Sequence, residues 1–150
     1  MEGDPHPETR KLQALIGEWT MEVALGGGEP QSGGMLSFEW MPGERYLVQR
    51  WQTPVPEAPD GLAIIGVHSG GEGLLQHYFD SRGVARVYEM SLDDGVWELR
   101  REKPDFSPLE FKQRYRGTFS EDGGRIDGSW EIDHGSGWEK DFDLSYVRRA

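Results

Sequence analysis

The feature that most limits how this chain can fold is a two-residue alternation of apolar and polar side chains from residue 19 almost to the C-terminus. Trp19, Met21 and Val23 alternate with Thr20 and Glu22. Side chains on a β-strand point alternately to opposite faces, so each such segment predicts a strand with one buried face. The pattern recurs in about ten segments, at residues 19–25, 36–41, 45–53, 61–69, 74–80, 84–92, 96–102, 110–120, 125–133 and 137–148.

The connections between these segments indicate how the strands are ordered. Most are short and rich in glycine and aspartate, such as Asp94-Gly95 and Gly123-Gly124, which is typical of β-hairpins. A meander of this kind has two free edges, and closing the sheet removes both. We therefore predict an all-β fold, an antiparallel up-and-down barrel of about ten strands wide enough for an internal cavity. A two-sheet sandwich is the alternative.

A short helix is expected before the first strand. Leu12, Leu15 and Ile16 recur at helical spacing, Pro7 suits a first turn, and Gly17 suits the position just past the end. These signals predict a helix over residues 7–16. No linker or repeat divides the sequence, so we expect one domain, 1–150, with 1–6 as a mobile N-terminal segment.

Charge and composition exclude several classes of function. A net charge of −11 repels nucleic-acid backbones and anionic lipid surfaces, so we expect no nucleic acid and no membrane as partner. The absence of cysteine excludes disulfides, thiolate nucleophiles and cysteine-ligated metals. The acidic N-terminus carries no apolar secretion signal. We expect a cytoplasmic monomer or homodimer without metal or cofactor.

The last three predicted strands show which face is buried. Aromatic and aliphatic residues occupy one face, and charged residues occupy the other. A register that places Arg114 beside Glu131 also places Tyr115 beside Trp130, so charge pairing and ring pairing agree. On the outer face, the acidic residues of the last two strands then lie next to each other.

A few polar residues interrupt the inner face and are candidates for ligand recognition. Gln113 and Lys140 do so, as does Arg50 if Tyr46 and Val48 mark the inner face of their strand. Such residues either pair internally or bind the polar group of an apolar ligand. The predicted ligand-binding residues share inner-face positions: Phe38, Trp40, Arg50, Tyr78, Tyr88, Gln113, Tyr115, Trp130 and Lys140.

Three functions are compatible with these features. The first is a binding protein that holds a small apolar or aromatic molecule inside the barrel. The second is a barrel enzyme, an isomerase, cyclase or hydrolase, with His68 or His77 as general base. The sequence leaves open whether the chain is an enzyme, since it contains no Gly-x-Ser-x-Gly nucleophile motif. The third is an interaction protein that binds a basic partner through the acidic outer face.

A resemblance to a known group of barrels supports the fold prediction. Segment 12–19 runs from the helix into the Gly-x-Trp motif at Gly17 to Trp19, and it resembles the signature at the base of lipocalin-like, or calycin, barrels. That group includes lipocalins, fatty-acid-binding proteins and nitrobindins. Segments 43–50 and 78–83 are similar to a bacterial family of such barrels known only as a domain of unknown function. The resemblance implies that Trp19 packs in the closed end.

Two departures from these families bear on function. Fatty-acid-binding proteins carry a helical lid between the first two strands, where this chain has the glycine-rich segment 26–34. Nitrobindin-like barrels bind haem through a histidine in a late strand, and segment 137–148 contains none. Haem binding would therefore depend on His68 or His77. The resemblance implies a fold rather than a role.

Overall fold

The computed structural model describes residues 6–25, 28–53, 55–56, 58–67 and 73–149. Helix α1 (Pro7–Lys11) continues into a 3-10 turn at Leu12–Leu15. Ten strands follow and form a closed barrel in which each strand pairs antiparallel with its neighbours in sequence and the last pairs with the first. The strands are β1 (Gly17–Leu25), β2 (Gln31–Trp40), β3 (Tyr46–Gln52), β4 (Gly61–Val67), β5 (Leu74–Asp80), β6 (Ala85–Asp93), β7 (Val96–Arg101), β8 (Lys112–Phe119), β9 (Arg125–Asp133) and β10 (Glu139–Arg148).

This architecture confirms the predicted all-β, ten-stranded barrel with a short N-terminal helix. Apart from His6, the segment expected to be mobile lies outside the described residues. The helical segments within the described ranges are too short and too polar to span a bilayer.

The N-terminal segment covers one end of the barrel. Leu12 and Leu15 are fully buried, and the 3-10 turn places these two residues on the same side. The helix predicted over residues 7–16 is therefore α-helical only to Lys11 and ends as a 3-10 turn at Leu15. The Trp19 indole Nε1 donates to the Leu15 carbonyl at 2.9 Å. The Arg148 guanidinium lies 4.1 Å from the Trp19 ring centroid and donates to the Ile16 carbonyl at 2.6 Å. This end is therefore closed.

Strand β2 begins earlier than the sequence predicts because a bulge accommodates its glycines. Met21 pairs with Gly34, but Glu22 pairs with Ser32, so Gly33 is an extra residue in β2. Its φ is 120°, a conformation that residues with a Cβ rarely adopt. Pairing with β1 thus extends the strand into a stretch whose composition indicated a loop.

The predicted pairing of β8 with β9 is confirmed. Arg114 lies opposite Glu131 and Tyr115 opposite Trp130, and Arg114 Nε donates to the Glu131 carboxylate at 2.6 Å. A Cβ at Gly128 would lie 2.3 Å from the Tyr115 hydroxyl oxygen, so this inward glycine makes room for the Tyr115 ring.

Candidate functional site

The end of the barrel opposite α1 opens into a cavity of about 380 Å³. The connections that follow β3, β5, β7 and β9 surround its mouth. Most of the wall is apolar or aromatic, and its ring-bearing residues are Trp51, Tyr78, Tyr88, Trp97, Phe111, Tyr115, Trp130, Phe142 and Tyr146. This is the size and polarity typical of a site for a small organic ligand.

The rings on one side of this wall form a continuous series of contacts. Trp51 stacks on Tyr78 with centroids 5.4 Å apart, and Tyr78 meets Tyr88 edge-on at 5.9 Å. Trp130 contacts both Tyr88, at 5.4 Å, and Tyr115, at 5.5 Å. Because each ring is held by its neighbours, the aromatic surface is ordered before any ligand arrives.

Two glutamines form a buried polar pair within this wall. Gln76 Nε2 donates to Gln49 Oε1 at 2.8 Å, and the two residues are 2% and 5% exposed. Both border the cavity. Buried amide groups without a partner cost about 1–3 kcal/mol each, so their remaining hydrogen-bonding groups matter for what the cavity can bind.

Gln113 and Arg86 form a second polar group near the mouth. Gln113 Oε1 accepts hydrogen bonds from the Tyr88 hydroxyl at 3.0 Å and from Arg86 Nη1 at 3.1 Å. The Arg86 guanidinium also lies 5.5 Å from the Phe111 ring centroid. Burial raises the pKa of Tyr88, and the nearby Arg86 acts to lower it. The cavity therefore carries a cationic hydrogen-bond donor at its mouth.

Arg82, which also borders the cavity, is neutralised by Asp80. The Asp80 carboxylate accepts from Arg82 Nη2 and from the Tyr78 hydroxyl, both at 2.7 Å, and from the backbone N–H of Arg82 and Val84. Burial acts to raise the pKa of Asp80, but these hydrogen bonds outweigh it and lower the pKa. Burial and the bond to Asp80 raise the pKa of Tyr78 well above its usual range. Asp80 thus binds the backbone of the turn that follows β5 and fixes the Tyr78 ring.

Tyr146 contributes a polar group of a different kind, a hydroxyl without a partner among the described residues. Tyr146 borders the cavity and is 4% exposed, and its ring packs beside Trp97 with centroids 5.8 Å apart. Burial alone raises its pKa, because its hydroxyl forms no hydrogen bond to the part of the chain that the structure describes. The Trp97 indole N–H is likewise buried and without a partner among the described residues.

The structure brings five of the nine predicted site residues together around the cavity: Tyr78, Tyr88, Gln113, Tyr115 and Trp130. Phe38 is buried in the core, edge-on to Trp97 at 5.9 Å. Trp40 is partly buried against the same core. Whether the five residues contact a ligand stays a prediction.

The expected inward orientation of Arg50 is wrong. Its inner-face assignment depended on Tyr46 and Val48, but Gln49 borders the cavity and Arg50 is therefore on the outer face. The Arg50 side chain is 53% exposed and pairs with Glu39 at 2.5 Å. The phase of β3 is set by its pairing with β2, where Gln49 lies opposite the inward-facing Phe38.

The expected inward orientation of Lys140 is also wrong, because a bulge changes the phase of β10. Lys140 lies opposite Glu131, whereas Phe142 lies opposite Trp130, so Asp141 is an extra residue. The Lys140 side chain is 61% exposed and pairs with Asp143 at 3.0 Å. Lys140 and Phe142 are two residues apart and would share a face in a regular strand. Because of the bulge they lie on opposite faces.

His77, one of the two histidines expected to act as a general base, does not line the cavity. His77 lies on β5 between Gln76 and Tyr78, which both border the cavity, so strand alternation turns His77 to the outer face. His68 lies outside the described residues.

Basic residues partner much of the acidic outer face of β9 and β10. Its ion pairs are Arg114 with Glu131 at 2.6 Å, Arg125 with Asp127 at 2.7 Å and Lys140 with Asp143 at 3.0 Å. These carboxylates are the groups that a basic partner would need, so the geometry does not favour an interaction surface here.

Comparison with known proteins supports the architecture. Neither a protein-family model nor a curated protein matches this sequence. Among solved structures, the crystal structure of Rv2717c from M. tuberculosis is similar over 98% of this chain and 100% of that chain, with a TM-score of 0.60 and 17% sequence identity. At this identity the likeness concerns the fold alone, so a function has to be inferred from the cavity.

Proposed function

We propose that this protein binds a small, largely aromatic molecule inside its barrel. The observation that carries the proposal is the ring-lined cavity of about 380 Å³ at the open end. A cavity of about 150 Å³ is large enough for benzene, so this one suits a molecule of two or three rings.

Arg86 and Gln113 would bind the polar group of such a ligand at the mouth. Arg86 donates to Gln113 through Nη1, which leaves most of its five guanidinium N–H donors available. No carboxylate in the described part of the chain forms an ion pair with it. A ligand carboxylate would supply that charge and accept two parallel hydrogen bonds. The aromatic body would then point into the barrel.

Titration with 1-naphthoate tests the proposal, with calorimetry and tryptophan fluorescence as readouts. Wild-type protein should bind one equivalent saturably. Val23→Phe should abolish binding, because Val23 borders the cavity and an added ring would occupy part of it. Thr20→Phe adds the same ring to the outer face of the same strand and should leave affinity unchanged. The proposal fails if wild-type protein binds no naphthalene-based probe, or if Val23→Phe binds as well as Thr20→Phe.

Neither rival function has a specific observation in its favour. The enzyme prediction depended on His68 or His77 as general base; His77 faces outward, and His68 lies outside the described residues. An acidic interaction surface would need carboxylates free to meet a basic partner, and Glu131 and Asp143 already have cationic partners.

A further inference from the structure

The two buried glutamines use only part of their hydrogen-bonding capacity. Gln76 Nε2 donates to Gln49 Oε1, and neither amide has another hydrogen bond to a described residue. A primary amide offers one carbonyl acceptor and two N–H donors. The pair therefore leaves the Gln76 carbonyl oxygen and the Gln49 NH₂ group without partners at the wall of the cavity.

This result does not depend on how either amide is rotated. If both amides are turned over, Gln49 donates to Gln76, and the two residues exchange their free groups. In either arrangement one carbonyl acceptor and one N–H donor remain, one on each amide of the pair.

The residues around Gln49 and Gln76 determine which part of a ligand can reach the two amides. Gln49 lies opposite Ala63 on the intervening strand β4, and the small, fully buried Ala63 side chain leaves space for the two amides to meet across that strand. Trp51 and Tyr78 occupy the next inward positions toward the mouth and stack on each other. A flat molecule lying along these rings would bring one polar edge to the glutamines.

We infer that the ligand carries an adjacent N–H donor and C=O acceptor, as in a lactam or a cyclic imide, and that Gln49 and Gln76 bind this edge. The inference rests on the proposed function and narrows its ligand class. A lactam N–H would donate to the free amide carbonyl, and its carbonyl would accept from the free NH₂ group. An aromatic hydrocarbon would leave both protein groups buried without partners.

Three related probes test this inference. 2-Quinolinone carries the lactam edge, N-methyl-2-quinolinone lacks the donor, and 3-methyl-2-quinolinone keeps the donor while adding the same volume. Wild-type protein should bind the two N–H lactams at least about tenfold more tightly than the N-methyl compound, since tenfold corresponds to about 1.4 kcal/mol, the scale of one hydrogen bond. This comparison requires no variant.

Variants locate the preference at the glutamine pair. Gln49→Met and Gln76→Met keep side-chain length while removing the amides, and each should bring the affinities for the N–H and N-methyl compounds within about twofold of each other. Gln52→Met, an exposed substitution on the same strand, should keep the wild-type preference. Thermal unfolding of the ligand-free double variant Gln49→Met/Gln76→Met should show an unchanged or raised midpoint, because both amides are removed together, whereas each single variant leaves the other amide without its hydrogen bond and should unfold somewhat earlier.

The outcomes separate this inference from the proposed function. Equal wild-type affinity for the three quinolinones overturns the lactam assignment and leaves aromatic binding intact. A double Met variant that unfolds earlier and weakens the three probes equally shows that the pair is structural, which also overturns it. If neither the quinolinones nor 1-naphthoate bind, the proposed function itself is wrong.

Discussion

Asp105→Asn tests what holds the open end of the barrel in shape. Asp105 lies in the long connection between β7 and β8, and its two oxygens accept from Arg101 Nε at 2.8 Å and Nη2 at 2.9 Å. Oδ2 also accepts from the backbone N–H of Val87 at 2.8 Å. The Arg101 and Asp105 side chains are 3% and 6% exposed. Bonding to Arg101 holds the pKa of Asp105 well below its usual range.

The size of the effect follows from this geometry. Asparagine replaces one carboxylate oxygen with an NH₂ group, which would face N–H donors of Arg101 or Val87 instead of accepting from them. It also leaves the Arg101 guanidinium without a counterion. Removing one partner of a buried ion pair costs about 3–5 kcal/mol. We expect about 3 kcal/mol, because this pair lies just beneath the surface. In a protein of 150 residues, that corresponds to a midpoint lowered by roughly 6–12 °C.

The pH dependence of unfolding gives the prediction a second, independent readout. The pKa of Asp105 is lower in the folded state than its unfolded value of about 3.9, so its contribution is complete above about pH 4 and is lost as the pH falls toward the folded pKa. The midpoints of wild type and Asp105→Asn, measured by circular dichroism, should differ most near neutral pH, and the difference should shrink progressively as the pH falls below about 4.

A matched control uses an exposed ion pair. Lys103 and Glu89 are 3.6 Å apart, with side chains 73% and 58% exposed, so Glu89→Gln should change stability by less than about 1 kcal/mol. The reasoning is refuted if Asp105→Asn lowers the midpoint no more than Glu89→Gln does, or if the difference from wild type does not shrink as the pH falls below about 4.

Three further predictions address the cavity and its wall. Arg86→Gln should weaken 1-naphthoate about tenfold in calorimetric titrations while leaving the neutral 1-naphthalenemethanol nearly unchanged; equal losses for both probes would contradict a charge contact. Tyr146→Phe removes a hydroxyl that lacks a partner among the described residues, so the thermal midpoint should stay the same or rise, and a clear decrease would reveal an unrecognised hydrogen bond. Gly128→Ala forces a Cβ to within 2.3 Å of the Tyr115 hydroxyl and should cost about 1–3 kcal/mol in denaturant unfolding, whereas Gly73→Ala meets open space and should be nearly neutral.

The fold could be predicted because alternation and turn residues are local signals that the barrel keeps. The pairing of β8 with β9 is an example, since the Arg114–Glu131 and Tyr115–Trp130 pairs require the same register. Where several apolar residues follow one another, the alternation does not show which of them face inward. In β3, Tyr46, Leu47 and Val48 are all apolar, so the strand alone does not show which face is inward.

The site could be predicted only in part, for the same reason. Gln49 was missed because the phase of β3 was misassigned, although its neighbour across the sheet, Phe38, faces inward without ambiguity. Arg86 is two residues from Tyr88 on the same strand, so the alternation in the sequence would have placed it on the same inner face. The outward position of Lys140 depends on one extra residue in β10, which becomes evident only when the strand is paired with β9.

The six tryptophans allow the most direct test of binding inside the barrel. Three of them, Trp51, Trp97 and Trp130, border the cavity, whereas Trp19, Trp40 and Trp138 do not. Each contributes one indole N–H signal to a ¹H–¹⁵N correlation spectrum, which can be followed during titration with 1-naphthoate. Internal binding predicts that the signals of the first three shift in a saturable way and those of the second three stay in place. No shifts, or shifts confined to the second three, would contradict it.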